Sequence, residues 1–501
     1  MYLLGIDVGT SNCKATVVDT QGRVMGKAGR EYFTVQPRPG WQEADPRVIW
    51  DAVRAVIAEA VAACENPEPI AGVSVSSFGE TMVPVGKDGQ PLGNGILYID
   101  PRGQEEAALL RDDYGEDKLN AVTGASAHSM YSLPKLMWLK RHRPEIFEKT
   151  WKFMLFADYV LFRLGAEPHT DYTLATRTAA FDIVRKRWDE SLLGFAGIDT
   201  DRFCTPVQSG TNVGRINPDI ARELGISPDA VLAAGGHDQP CAALGAGAIR
   251  QGVAIDGLGT TECLCPAFAS PKFGPAMLRS GFSCVPHAAP DMYATIAFTF
   301  TSGSVLKWFR DNVGRNCRED AQAAGMNVYD YIIEQASPEV CPVFVLPHYA
   351  GAATPYMDND ASGAIFGLSI NTTARDIAKG ILEGITFEMV RNTDALSEAG
   401  IEIEELRAVG GLAKSDPFLQ LKASIMGRRI VTLEISEAGT LGVAMLAGAA
   451  SGIYNSLSDA AAQLVRVKKT FEPDPALHEL YTEKYETYKR LYPAVKEVFR
   501  P

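Results

Sequence analysis

The first residues that could carry chemistry lie near the start of the chain, where Asp7 closes a short apolar run. It is followed by Gly9, Thr10 and Lys14. A carboxylate can hold hydrated Mg²⁺, a hydroxyl can hydrogen-bond to phosphate, and an ammonium group can balance phosphate charge. The spacing therefore predicts a phosphate and magnesium site with Asp7 as the metal ligand. The alternative is that Asp7 only caps the turn that follows a strand.

A second acidic residue, Asp238, stands in a glycine-rich context. It belongs to the run 235–240, Gly-Gly-His-Asp-Gln-Pro, which follows the apolar residues 231–232. A general base must face a substrate, and the end of a strand presents a carboxylate better than a solvated helix face does. We therefore predict that Asp238 is a general base. A second interpretation, compatible with the first, is that Asp238 caps a helix over 241–244.

Three glycine loops could hold an anion. Gly9-Thr10 recurs as Gly259-Thr260-Thr261, and a third loop begins at Gly410-Gly411. Because glycine has no Cβ, the backbone N–H groups of such loops can converge on a phosphate. A single Gly-Thr pair is weak evidence, since ordinary hairpin turns also carry it. Two such loops at corresponding strand ends are a stronger indication of a nucleotide site.

The elements that must position these loops follow the same order in both halves of the chain. Helices are predicted from Pro46, behind the cap Asp45, and over 374–398. Strands are predicted over 3–6, 15–18, 71–76, 252–256, 263–268 and 406–409. We therefore expect an α/β protein with two related domains, 1–246 and 247–501, joined in a glycine-rich segment and separated by a cleft.

Composition narrows the functional classes. The chain has 501 residues, with 48 basic and 61 acidic side chains and a net charge of −13, which disfavours nucleic acid and anionic membranes. No apolar run reaches the ~18 residues of a membrane-spanning helix, and the start of the chain has no basic segment typical of a secretory signal. Nine scattered cysteines and seven histidines show no zinc-type spacing. These features predict a cytoplasmic protein with reduced thiols.

Five motifs together resemble the FGGY family of carbohydrate kinases, over nearly the whole length of the chain. Residues 7–14 resemble the family's first phosphate loop, and residues 130–142 fit its first signature throughout. Residues 363–383 are similar to the second signature, except that Gly380 stands where alanine or serine is expected. The segments 235–239, 259–261 and 410–415 resemble its catalytic, second phosphate and adenine loops. The resemblance implies two actin-like, ribonuclease H-like domains that close on ATP and a sugar.

The resemblance also implies roles for individual residues. Asp238 would accept the proton of the attacking hydroxyl, and Asp7 would belong to the Mg²⁺ shell. The residues implied to bind ATP are Thr10, Ser11, Lys14, Gly259, Thr260, Thr261, Gly410, Gly411 and Ser415. Because phosphoryl transfer has a loose transition state, positioning and charge neutralisation provide most of the catalysis.

The sugar side is implied less directly. Glu80 matches the acid of an Arg-Glu pair in glycerol kinases, whereas Gly79 replaces the arginine and leaves room for a substrate longer than glycerol. A carboxylate at residue 80 could accept hydrogen bonds from two vicinal hydroxyls. The residues expected to face the sugar are Glu80, Thr81, Tyr98, Asp100, Tyr131, Asp238 and Gln239. For Asp100 and Arg102 a surface ion pair is an equal alternative, and His237 is expected to be a packed loop residue.

The expected function is ATP-dependent phosphorylation of a small ketose, such as xylulose, or of a polyol. The alternatives are an actin-like or chaperone-like ATPase and a pseudo-kinase that binds sugar without turnover. An actin-like or chaperone-like ATPase would not carry the signature at 130–142, and a pseudo-kinase would not need Asp7 and Asp238, whereas this chain has all of them. The expected partner is a small sugar or polyol, with no nucleic acid or membrane, and a homodimer is left open.

Overall fold

The computed structural model describes residues 1–66, 68–434 and 437–499. The elements of the first half are, in order, β1 (Tyr2–Val8), β2 (Asn12–Asp19), β3 (Val24–Glu31), β4 (Glu43–Ala44), α1 (Pro46–Ala62), β5 (Ile70–Ser77), β6 (Met82–Val85), β7 (Gly95–Ile96), α2 (Gln104–Leu109), α3 (Glu116–Thr123), α4 (Ser132–His142), α5 (Pro144–Lys149), β8 (Lys152–Leu155), α6 (Phe156–Leu164), β9 (His169–Asp171), α7 (Tyr172–Thr176), β10 (Phe181–Asp182), β11 (Arg187–Trp188), α8 (Glu190–Ala196), β12 (Thr205–Val207), β13 (Asn212–Arg215), α9 (Pro218–Leu224), β14 (Val231–His237) and α10 (Asp238–Gly245).

The second half continues the same alternation of strands and helices. Its elements are β15 (Gly252–Leu258), β16 (Glu262–Phe268), α11 (Pro275–Arg279), β17 (Val285–Pro286), β18 (Tyr293–Ala294), β19 (Ala297–Thr299), α12 (Gly303–Asn312), α13 (Cys317–Ala323), α14 (Val328–Gln335), β20 (Phe344–Leu346), β21 (Ala364–Phe366), α15 (Ala374–Glu398), β22 (Ile403–Gly410), α16 (Asp416–Met426), β23 (Arg429–Leu433), α17 (Ala438–Ala450), α18 (Leu457–Leu464), β24 (Val467–Phe471) and α19 (Pro475–Val495).

The two main sheets repeat one topology. In the first sheet the strand order is β13-β14-β5-β1-β2-β3, with β1 antiparallel to β2 and parallel to β5. In the second sheet β15 is antiparallel to β16 and parallel to β22, and β22 and β23 are parallel. Each sheet therefore opens with a hairpin and continues with two parallel strands. The expected α/β architecture of two related halves is confirmed.

Local sequence explains why the long helices form where they do. Asp45 caps α1 by accepting a hydrogen bond from the backbone N–H of Arg47 at 2.9 Å, and Pro46 occupies the first turn. Thr373 and Asp376 form a reciprocal capping box at the start of α15. Apolar residues of α1 at helical spacing are buried, and this helix packs on β2 and β3. Both helices were predicted from the sequence.

The halves interlock through two crossing helices. Helix α17, from the second half, packs on β1 and β5 of the first sheet and crosses α10. Glycines allow this approach, because a Cβ on Gly442 would lie 1.9 Å from the carbonyl oxygen of Cys241, and one on Gly245 would lie 1.9 Å from that of Ala438. A division after residue 246 therefore separates the sheets but not this helix layer. Within the described residues, none of the helices combines the length and the apolar character needed to cross a bilayer.

Candidate active site

The β1–β2 turn forms the first of the predicted phosphate loops. The N–H of Gly9 donates to the carbonyl of Asn12 at 2.8 Å, which closes the turn and leaves Thr10 at its tip. Asp7, near the end of β1, accepts a hydrogen bond from Ser76 at 2.7 Å and pairs in register with Lys14. Lys14 is solvent-exposed, and its ammonium group lies 3.2 Å from Glu437. Ser11 is also exposed on this turn.

Asp7 faces the start of helix α17. A Cβ on Gly439, in the first turn of that helix, would lie 3.9 Å from an Asp7 carboxylate oxygen. Burial raises the pKa of Asp7, although the Ser76 hydrogen bond and the Lys14 charge act in the opposite direction. Desolvation makes the charged form of Asp7 unfavourable, and a bound cation would offset that cost.

Asp238 lies at the junction of β14 and α10, as the sequence predicted. It is the first residue of α10, and His237, rather than Asp238, is the cap residue of this helix. Burial and the negative charges of Asp7 and Glu80 raise the pKa of Asp238 to about 7. Among the described residues, its Oδ1 atom is buried without a hydrogen-bond partner, although His237 Nε2 lies 3.3 Å away. Asp238 is therefore poised to exchange a proton near neutral pH.

The second half contributes a cavity of about 560 Å³ beside the β15–β16 turn. The predicted residues Gly259, Thr260, Gly411 and Ser415 line it. Gly410 adopts a φ of 101°, and a Cβ there would lie 2.6 Å from the carbonyl of Leu258, so this position requires glycine where β22 meets β15. Thr261 is exposed on the same turn but is not part of the cavity lining.

Several residues of this cavity were not predicted from the sequence. They come from the start of α12 and from the segment that leads into α14, namely Gly303, Ser304, Lys307, Asn327, Tyr329 and Asp330. Ser304 donates to the carbonyl of Thr260 at 3.0 Å, which joins α12 to the phosphate loop. The Thr-Ser-Gly-Ser run at 301–304 is a signal that could have identified this helix start.

The sugar side of the cleft contains an ion pair that was not predicted. Arg177 donates from Nε to a carboxylate oxygen of Glu80 at 2.6 Å, and its guanidinium lies over the ring of Tyr131, 5.2 Å from the ring centre. Tyr98 is partly buried near Glu80 and Asp238 and shares a hydrogen bond with Thr10, and burial raises its pKa. The structure thus brings Tyr98, Tyr131 and Glu80 close to the phosphate loop and Asp238. Gln239 is half-buried in the first turn of α10 and donates its backbone N–H to Asp238.

One of the expected sugar contacts, Asp100, is wrong. The side chain of Asp100 is fully buried, and its two oxygens accept hydrogen bonds from Arg102 at 2.7 and 2.8 Å and from the N–H of Gln42 at 2.6 Å. Burial alone would raise the pKa of Asp100, but these hydrogen bonds lower it. Thr81 is also fully buried, with its methyl carbon 2.7 Å from the position of a Cβ on Gly95. Asp100 forms a buried ion pair and does not face the cleft. The role of Thr81 stays a prediction, because among the described residues its Oγ1 atom is buried without a hydrogen-bond partner.

The residues present fit a magnesium ion. Mg²⁺ in phosphoryl-transfer sites is usually held by one or two carboxylates together with phosphate oxygens and water. Asp7 is close enough to Asp238 for its charge to raise the pKa of Asp238, and both residues are partly exposed. Their oxygen atoms are the ligand type that this ion prefers.

Comparisons with known proteins agree with this arrangement. The model of the N-terminal domain of the FGGY family of carbohydrate kinases matches residues 2–245, and that of the C-terminal domain matches residues 257–451. The xylulose kinase of Bacillus subtilis (strain 168) is 29% identical over 499 residues, covering 99% of this chain and 98% of the relative. The glycerol kinase of Methylibium petroleiphilum is 31% identical over 479 residues, covering 92% and 93%.

A solved structure extends the similarity to the fold. The gluconate kinase from Lactobacillus acidophilus superposes with a TM-score of 0.88 at 25% identity, covering 99% of this chain and 98% of that one. The two-domain fold implied by the sequence motifs is thereby confirmed. Both domain models together match most of the 501 residues, and this chain belongs to the FGGY family of carbohydrate kinases.

Proposed function

We propose that the protein transfers the γ-phosphoryl group of ATP to a hydroxyl of a small ketose or polyol. The observation that carries this proposal is the position of Asp238, which is half-buried at the junction of β14 and α10, near Glu80 on the sugar side and Asp7 of the first phosphate loop. Its pKa of about 7 lets it accept a proton at neutral pH. Family membership and the names of the relatives, xylulose kinase and glycerol kinase, support the same class of reaction.

In the proposed reaction Asp238 accepts the proton of the acceptor hydroxyl as that oxygen attacks the γ-phosphorus. The bond from the γ-phosphorus to its bridging oxygen breaks, ADP leaves with that oxygen, and the proton on Asp238 passes to solvent when the cleft opens. The glycine-rich turns with Thr10 and Thr260 hold the phosphates, and Tyr98, Tyr131 and Glu80 orient the sugar. Bound through Asp7, Mg²⁺ would neutralise phosphate charge.

The nucleotide half of the site is proposed to lie in the cavity beside α12 and α16. It has room for a nucleoside and offers Tyr329 for stacking, with Ser415 and Lys414 at its edge. The nine cysteines are free thiols, which favours a reducing compartment, and we infer that the protein acts in the cytoplasm.

The test is sugar-dependent ADP release from ATP and Mg²⁺, measured with a panel of ketoses and polyols that includes xylulose and glycerol. We expect at least one neutral substrate to stimulate ADP release far above the rate with ATP alone. An equal rate without any sugar would indicate a bare ATPase, and sugar binding without ADP release would indicate a pseudo-kinase. Either result would overturn the proposal.

A further inference from the structure

Residue 79 determines what lies beside the sugar-side acid. A Cβ on Gly79 would lie 2.8 Å from Cγ of Arg177 and 3.0 Å from Cδ2 of His237. Gly79 does not adopt a positive φ, so the constraint is one of space rather than of backbone conformation. Any larger side chain at this position would displace Arg177. The absence of a side chain at residue 79 is therefore what allows an arginine from a distant segment to reach the site.

Arg177 and Glu80 form a buried pair whose members are only 6% and 5% exposed. Both Nε and Nη2 of Arg177 contact the same oxygen of Glu80, so the other carboxylate oxygen is outside these two contacts. Burial alone would lower the pKa of Arg177, but the Glu80 charge outweighs this effect and raises it. Arg177 is therefore a cation in the folded protein, and the Glu80 carboxylate lies directly against it.

Contacts from Ser132, Tyr131 and Ser283 fix the position of the pair. The backbone of Glu80 lies in the left-handed region at a φ of 60°, and its carbonyl accepts a hydrogen bond from Ser132 at 2.6 Å. The Arg177 guanidinium lies over Tyr131 and has a 3.4 Å contact from Nη1 to the hydroxyl of Ser283. Such fixed geometry indicates a group that orients a ligand rather than a mobile surface pair.

A second buried cation near Glu80, Lys135, donates its Nζ to the carbonyls of Asp100 and Arg102. Asp7 and Asp238 add carboxylates, and burial together with the charge of Arg177 keeps the pKa of His237 well below its usual value, so the imidazole is neutral. Arg177 is thus the cation closest to the sugar-side acids, and Glu80 already neutralises it. An acceptor that itself carried a carboxylate would meet repulsion without a free cation to offset it.

Resting on the kinase function proposed above, we propose that the Glu80–Arg177 pair makes the acceptor site selective for neutral sugars and polyols against aldonates. Because Glu80 already pairs with Arg177, the guanidinium is not available to bind a substrate carboxylate. A gluconate kinase with the same fold shows that this architecture can accompany an acidic acceptor, so selectivity must come from residues of the pocket. In this chain the pocket combines Gly79 with the buried Glu80–Arg177 pair.

The test compares kcat/KM for D-gluconate with that for the best neutral substrate. For the wild-type protein we expect gluconate to be at least about 10²-fold poorer. In Glu80→Gln the neutral substrate should lose about 10-fold to 10³-fold, because one charge-assisted acceptor is removed. The gluconate-to-neutral ratio should rise by about 10-fold or more, because Arg177 is then free to bind the carboxylate.

Two further variants separate selectivity from general damage. In Glu80→Gln/Arg177→Met the gain toward gluconate should disappear. Asp100→Asn is the matched control, because it disrupts a similarly buried Arg–carboxylate pair outside the cleft. It should lower the melting temperature without changing the gluconate-to-neutral ratio.

Specific outcomes would overturn the inference. If the wild-type enzyme has equal kcat/KM values for gluconate and for neutral sugars, the inference is refuted without any variant. This comparison can be made even if Glu80→Gln does not fold. Equal losses for both substrates in Glu80→Gln would also refute it. Neither result touches the proposed kinase function, which fails only if no acceptor stimulates ADP release.

Discussion

The two glycine-threonine hairpins occupy equivalent positions in the two sheets, but they use their acidic residues differently. Asp7 stands two residues before Gly9, whereas Asp256 stands three residues before Gly259. Because side chains alternate along a strand, this offset of one residue turns them to opposite faces. Asp7 faces the cleft, and Asp256 points into the interior, where it is fully buried. A shift of one residue along the strand therefore separates Asp7, the proposed metal ligand, from Asp256, a buried structural acid.

The buried acid of the second hairpin forms part of a charge cluster. Lys422 of α16 lies 3.0 Å from Asp256 and also contacts Glu262 of β16, and all three side chains are fully buried. Burial acts against the charge of Lys422, but the two carboxylates outweigh it and raise its pKa. Ser302 donates to Glu262 at 2.8 Å. The cluster links α16 and the residue before α12 to strands β15 and β16, which carry the second phosphate loop.

The largest expected effect comes from removing the cation of this cluster. Lys422→Met would leave the two buried carboxylates without their cation, and we expect a loss of about 3–5 kcal/mol in the free energy of unfolding. Urea unfolding monitored by fluorescence measures it. Lys414→Met, at an exposed lysine of the same region, is the control and should be within about 0.5 kcal/mol of the wild type. Equal stabilities of the two variants would show that the cluster has no structural role.

The opposite behaviour is expected for the first hairpin. Since burial raises the pKa of Asp7 above its unfolded value, its charge costs stability at pH 7, and this cost sets in as pH rises through the unfolded pKa. Asp7→Asn should therefore keep or raise the melting temperature, while kcat falls by about 10²-fold or more through loss of the metal ligand. A variant with normal kcat and a lowered melting temperature would make Asp7 a turn cap, as in the alternative reading of its sequence position.

A smaller effect is expected in the pH dependence. With a pKa of about 7 for Asp238, kcat/KM should rise with pH, pass through its half-maximal value at about pH 7 and level off above it, because the base must be deprotonated. The negative charge of Glu80 contributes to this raised value. In Glu80→Gln the inflection should therefore move to lower pH. An inflection that stays in place would show that Glu80 does not act on Asp238.

The smallest signal is expected from movement of the two halves. The phosphate loops lie on different sheets, and we expect the halves to pivot in the connecting segment 245–252. Closure on substrates would exclude water and limit wasteful ATP hydrolysis. Small-angle scattering should show a lower radius of gyration with sugar plus a nonhydrolysable nucleotide than with neither. An unchanged radius would argue against closure.

Local sequence patterns predicted the framework and much of the cleft. Strand ends flanked by glycine predicted where Asp7, Asp238 and the two glycine-threonine turns lie in the fold, because those signals are contained within a few consecutive residues. Pairings between distant segments were missed. Glu80 and Arg177 are 97 residues apart, and Lys422 and Glu262 are 160 apart, so no periodicity links them.

The wrong expectation for Asp100 has the same origin as these missed pairings. Asp100 was expected at the sugar because its neighbours suggested an aligned segment, but its carboxylate is taken up by Arg102 and by the backbone of a loop far away in the sequence. Whether an acidic side chain faces a ligand or a cation depends on tertiary packing. Residue type and spacing alone leave both outcomes open.

The proposal that Asp238 is the general base is tested most directly by Asp238→Asn, measured for sugar-dependent turnover and for nucleotide binding on the same preparation. The amide keeps the shape of the side chain but cannot accept the proton of the acceptor hydroxyl. We expect kcat to fall by about 10²-fold or more, with little change in ATP affinity. Near-normal turnover in this variant would contradict the assignment of Asp238 as the base.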